Sequence, residues 1–178
     1  TAEQDKTRSM LTRLQQYLDA AWNGLQSIDF HFLETGYHRL LQFDHYLRER
    51  KIERVLIPAL KGLNREADLM IAEIDALRHK SVSHLREAGA QLAAHAEFGR
   101  LQISRVCESM SAYCSQVAAR LKLEEQSLVP LARRLLSVED WFHLASEFLS
   151  RERGKSGSRA RTAPGRSAAR QQHSPDLH

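Results

Sequence analysis

Between Thr1 and Arg153 the chain holds only two prolines, Pro58 and Pro130, each closing a long stretch rich in Leu, Ala, Glu, Arg and Gln. Proline ends or kinks a helix because it lacks an amide hydrogen and its ring meets the carbonyl four residues back. A chain with so few breakers, whose apolar residues recur every three to four positions, favours long helices. Alternating β-branched stretches that would announce strands are few. The expected fold class is therefore all-α.

Turn chemistry divides the chain further. A first helix is expected from about Gln4 to Leu25, closed by Asn23-Gly24, and a second from about Asp29 to Leu60 with Pro58 in its last turn. Gly62 and Asn64 make the next loop, followed by a third helix from Arg65 to His95 and a fourth from Gly99 to Leu136, kinked or broken at Pro130. Ser137-Val-Glu-Asp140 is a capping-box-like start for a short fifth helix through Phe148. Together these give an up-down four-helix bundle with a short C-terminal helix, and 178 residues suit one domain with one core.

From Gly154 onward Gly, Ser, Ala, Arg, Pro and Gln dominate, and almost no large apolar side chain remains. Such a segment cannot bury enough surface to offset the entropy of ordering it, so 154–178 reads as a disordered tail and 1–153 as the folded domain. The tail carries five arginines and lysines against Asp176, which accounts for the whole net charge of +4 and leaves the rest neutral. A basic tail of this kind can touch nucleic acid or an anionic surface through counterion release. Without aromatics to stack on bases, that contact is weak and salt-sensitive.

No apolar run approaches the ~20 residues needed to cross a bilayer. The opening, Thr-Ala-Glu-Gln-Asp-Lys, is unlike a basic-then-apolar signal peptide, so the expected location is cytoplasmic. Cys107 and Cys114 fall on one helix with Cα atoms ~10.5 Å apart, beyond the reach of a disulfide. They read as small apolar residues on a buried face. No nucleophile elbow, phosphate-binding glycine loop, HExxH or paired CxxC occurs, and nothing supports enzyme activity.

Two segments resemble each other. Arg48-Glu-Arg-Lys-Ile-Glu-Arg-Val-Leu-Ile-Pro-Ala-Leu60 and Arg120-Leu-Lys-Leu-Glu-Glu-Gln-Ser-Leu-Val-Pro-Leu-Ala132 each run from charged residues into an apolar pair before proline. The pair resembles the two motifs of the hemerythrin-like (HHE cation-binding) family, in which His and Glu residues precede a Leu-Phe-Pro signature. Arg133-Arg-Leu-Leu-Ser-Val-Glu-Asp-Trp141 is similar to that family's ending. The resemblance spans roughly residues 5–150 and implies a four-helix bundle holding two irons through five histidines and two bridging carboxylates.

A helical wheel at 100° per residue shows what this chain offers instead. On the second helix Phe30, Tyr37, Leu40, Leu41, Leu47 and Val55 share a face, with Arg48 and Ile52 at its edge; one register further, Glu49 and Glu53 take the edge. On the fourth, Val106, Met110, Tyr113, Val117, Glu124 and Leu128 point inward, Glu124 or Glu125 matches the family's carboxylate, and Arg120 stands at its histidine position. His84, on the face with Met70, Ile74, Leu77 and Leu92, is the one histidine placed as a ligand. The metal-ligating candidates are thus His84, Glu124, Glu125, Glu53 and Glu49.

Arginine is a permanent cation and cannot coordinate metal. A cluster of Arg48, Arg120 and Glu124 is the expected replacement for the metal. His31, His38 and His45 repeat every seven residues on the side opposite the apolar face and read as a solvated stripe or a contact for a partner helix. The function that follows is a non-enzymatic binding or regulatory module with a reduced or lost di-iron site and no cofactor, acting through an unidentified protein partner. The alternatives are a working di-iron protein that binds or senses oxygen, nitric oxide or redox state, and a helical adaptor.

Overall fold

The computed structural model describes residues 2–23, 30–98 and 103–147. These are helical throughout apart from short turns, with no strand among the described residues. In order they form α1 (Ala2–Asn23), α2 (Phe30–Glu49), a π-helical turn (Ile52–Leu56), α3 (Ile57–Leu60), α4 (Arg65–Phe98), α5 (Ile103–Leu123), a second π turn (Glu124–Leu128) and α6 (Val129–Leu135). A further helix, α7, covers 138–147. Gly24, Leu25, Gly99, Phe148 and the 154–178 tail lie outside the described residues.

The interruptions in two expected helices have one cause. Each π turn begins six residues before a proline, and each closes on a bond from the preceding residue to a carbonyl five back: Ile57 N–H to Ile52, and Val129 N–H to Glu124. The hydrogen-bond register has thus moved by one just where proline can donate nothing, so the helix continues past Pro58 and Pro130 instead of ending there. At the first motif the chain also bends at Arg50, whose N–H reaches Leu47 O at a long 3.4 Å.

α3 ends at a left-handed Gly62 (φ 81°), whose N–H donates to Asp68 Oδ1 at 2.8 Å. Only glycine takes this conformation without steric cost. Asn64 then caps α4, its Oδ1 accepting the Ala67 N–H at 2.8 Å.

The residues divide into two compact units, Thr1–Ser137 and one beginning at Val138. Within the first, α4 and α5 form the most extensive helix–helix contact, while α1 packs on α5 and α2, and α2 on α4 and α5. One core gathers Leu11 from α1, Leu33, Leu40, Phe43 and Leu47 from α2, Leu85 and Leu92 from α4, and Val106, Met110, Tyr113 and Val117 from α5. Gly89 lets the Tyr37 ring lie against the α4 backbone, where an added Cβ would stand 2.8 Å from Cζ.

The inward stripe expected on α5 is buried in full. On α2 the buried row runs Leu33, Gly36, Leu40, Phe43, Asp44 and Leu47, which leaves Leu41 exposed, one step around the helix. No helix among the described residues is long and apolar enough to cross a membrane.

Candidate functional site: a buried arginine–carboxylate cluster

Glu124 opens the second π turn and is fully buried. Arg120 lies one helical turn earlier, on the same face, and its Nε donates to Glu124 Oε1 at 2.8 Å. Arg50, at the bend between α2 and the first π turn, donates from Nη2 to that same oxygen at 2.8 Å. Among the described residues it is the largest fully buried side chain, and its Nε also points to Leu47 O. Two guanidinium groups from separate helices thus converge on one carboxylate that solvent does not reach.

The network extends outward from there. Arg120 Nη2 pairs with Glu53 in the first π turn, and Glu53 also stands 3.7 Å from Arg78 Nη1 on α4. Asp44, buried on α2, accepts from Arg48 Nη2 at 2.5 Å. Burial pulls the Arg120 guanidinium below its ordinary value; Glu124 holds it up and Arg50 lowers it further. A guanidinium starts so high that it stays charged. Burial, and then the Asp44 charge, push the Tyr113 phenol above its ordinary range, so Tyr113 enters this interior as a neutral hydroxyl.

The residues expected from the sequence divide between this cluster and the surface. Arg120, Glu124 and Glu53 meet in it. Arg48 does not face them: its side chain is 59% exposed and pairs with Asp44, while Arg50 takes the position opposite Arg120. Glu125 pairs with Arg8 at the surface, and Glu49 with Arg54. His84 is half-exposed on α4, 3.9 Å from Glu87, beside the buried row of Ser81, Leu85 and Ala88. His31, His38 and His45 are exposed.

Di-iron chemistry needs histidines and carboxylates converging with free oxygens. Among the described residues no three His, Cys, Asp or Glu side chains gather in that way. Among the described residues the one fully buried carboxylate is already claimed by two arginines, and the donor set present does not fit a di-iron centre.

Arg50 is the member that sequence reasoning did not place in the cluster, while buried Asp44 and the Tyr113 hydroxyl border it. The face expected from Tyr37 and Leu41 leaves Arg50 aside, whereas the buried row observed on α2 leads to it, three residues after Leu47 and seven after Phe43. Tyr113 was readable as a core residue, though nothing in the spacing pointed to its hydroxyl.

Cys107 and Cys114 are free thiols in the buried face of α5. Burial, aided by the Asp19 charge, pushes the Cys114 thiol from its ordinary 9.0 up to about 12, and burial then Glu108 raise Cys107. Above about pH 9 an unfolded chain releases these protons while the folded one keeps them, so stability falls as pH rises from 9 toward 12. Urea denaturation at about pH 8 and about pH 10.5 should show that fall, and Cys114→Ala should flatten it. Equal losses in variant and parent would assign the fall to other groups.

No family model, characterised protein or solved structure matches the chain.

Proposed function

We propose that this chain is an up-down four-helix bundle of the hemerythrin-like kind that works as a non-enzymatic binding or regulatory module. An arginine–glutamate cluster fills the position where that family holds iron. The observation that carries the reading is the double donation from Arg50 and Arg120 to Glu124, with all three side chains buried. Its location supports the same reading: Glu124 and Glu53 lie in the two π turns, each directly upstream of the prolines through which the sequence resembles the family.

The chemistry of replacement is direct. A carboxylate inherited from a metal site would be a buried, uncompensated anion once the metal was lost. A guanidinium at a former histidine position supplies the missing positive charge and several donors, and it excludes a cation electrostatically. Iron entering this interior would have to displace two arginines that have no solvent to withdraw into.

Elemental analysis of protein expressed in iron-supplemented medium is expected to return background metal. About two irons per chain would overturn the reading. It would restore a protein that binds or senses oxygen, nitric oxide or redox state through His84, Glu124, Glu125, Glu53 or Glu49.

A further inference from the structure

On the outer side of α2 and α4 a pocket of about 290 Å³ is lined by Arg48, Arg78, His79, Val82, Ser83 and Arg86. Arg78, Val82 and Arg86 are spaced four apart on α4, and His79 and Ser83 form the adjoining row, so two turns of one helix face supply five of the six residues. Arg48 faces them from α2. None of the lining residues is acidic.

From this geometry we infer that the pocket binds a small phosphate-bearing anion. The guanidinium fork matches phosphate oxygens in pairs, and three forks here surround one concavity. Their donors are largely uncommitted. Arg86 makes no ion pair among the described residues. Arg78 stands 3.6 Å from Asp75 and 3.7 Å from Glu53, too far for hydrogen bonds, and Arg48 engages Asp44 through one nitrogen. His79 Nδ1 lies 2.7 Å from Asp75 O, which fixes the ring and leaves Nε2 for another partner. Ser83 adds a hydroxyl.

The charges around the pocket and the buried cluster beside it point the same way. Five arginines (48, 50, 78, 86 and 120) meet four carboxylates (Asp44, Glu53, Asp75 and Glu124), and the uncompensated charge falls on Arg86. The volume sits at the low end for ligand sites, which suits a small anion. A nucleic-acid strand would call for aromatic platforms, and none lines this pocket. The site is also joined to the interior through one link: Arg78 faces Glu53, which holds Arg120, which holds Glu124. An anion that draws Arg78 outward alters the charge Glu53 feels. The pocket's chemistry holds whether or not the buried cluster replaced a metal.

Calorimetric titration of the full chain with inorganic phosphate and with pyrophosphate, at constant ionic strength in chloride, tests the inference. Saturable binding is expected, weakened about tenfold or more in Arg86→Ala. Arg86 is exposed, so the variant should keep its thermal midpoint without anion. Sedimentation with phosphatidate and with phosphatidylcholine vesicles separates the sources of the phosphate. Arg86-dependent binding of free anion assigns a soluble ligand, and Arg86-dependent binding of phosphatidate vesicles alone assigns a lipid headgroup. Equal binding by parent and variant would place the anion on the basic tail and overturn the site, as would no binding to any of these probes.

Discussion

Glutamine in place of Glu124 is expected to lower folding stability by about 3–5 kcal/mol, because it removes the charge on which two buried guanidinium groups converge at 2.8 Å. The amide keeps the shape and one acceptor oxygen but loses the anion, and its NH₂ group competes with arginine donors for the same space. For a chain of this size the thermal midpoint should fall by on the order of 10 °C. The neighbouring glutamate supplies the control. Glu125 is 39% exposed and pairs with Arg8 at the surface, so Glu125→Gln should stay within about 0.5 kcal/mol of the parent. Urea denaturation of the two variants side by side decides the matter. A loss in Glu124→Gln no larger than in Glu125→Gln would mean that water reaches the cluster.

Replacing the whole trio gives the second large effect, in the opposite direction. A chain carrying Arg50→Met, Arg120→Leu and Glu124→Leu is expected to match the parent or exceed it by about 1–4 kcal/mol, although each change alone destabilises. Desolvating three charges costs more than their mutual attraction returns, and apolar side chains of similar volume incur no such cost. Glu53 keeps Arg78 as its neighbour in that variant. The same denaturation experiment reads the result; losses that simply add would show that the cluster is a net source of stability.

The triple variant should lose something else. Arg50 and Glu124 are 74 residues apart, and a single alignment of α2 against α5 joins them. Sliding one helix by a turn, ~5.4 Å, would strand a charge in the apolar interior. Leucines tolerate such a slide, so the triple variant is expected to show broadened amide resonances despite its stability.

The α5 stripe shows what periodicity reveals. Six residues from Val106 to Leu128 were readable as inward-facing because the helix runs unbroken from Ile103 to Leu123, and the second π turn still delivers Glu124 and Leu128 to the core. Arg120 and Glu124 followed from the same spacing. On α2 the expected face is rotated from the observed one, which leaves Leu41 exposed and Phe43 buried. Arg50, three residues after Leu47 and seven after Phe43, follows the observed row and takes the place assigned to Arg48. His84 was misjudged more mildly: the buried row of α4 passes through Ser81, Leu85 and Ala88, which leaves His84 at its margin.

The two π turns have a consequence for length. Each takes up one residue more than an α-helical path would use, and both do so at the same remove from their prolines. An extra residue in one rod alone would displace everything beyond it by ~1.5 Å and ~100° relative to the rod beside it. With a surplus in each, α2 through α3 and α5 through α6 carry the same offset beyond their π turns. Trimming one surplus would put the pair out of phase, while trimming both would keep them matched. What the fold conserves is the difference in length between two helices, and either length is free to change if the other follows.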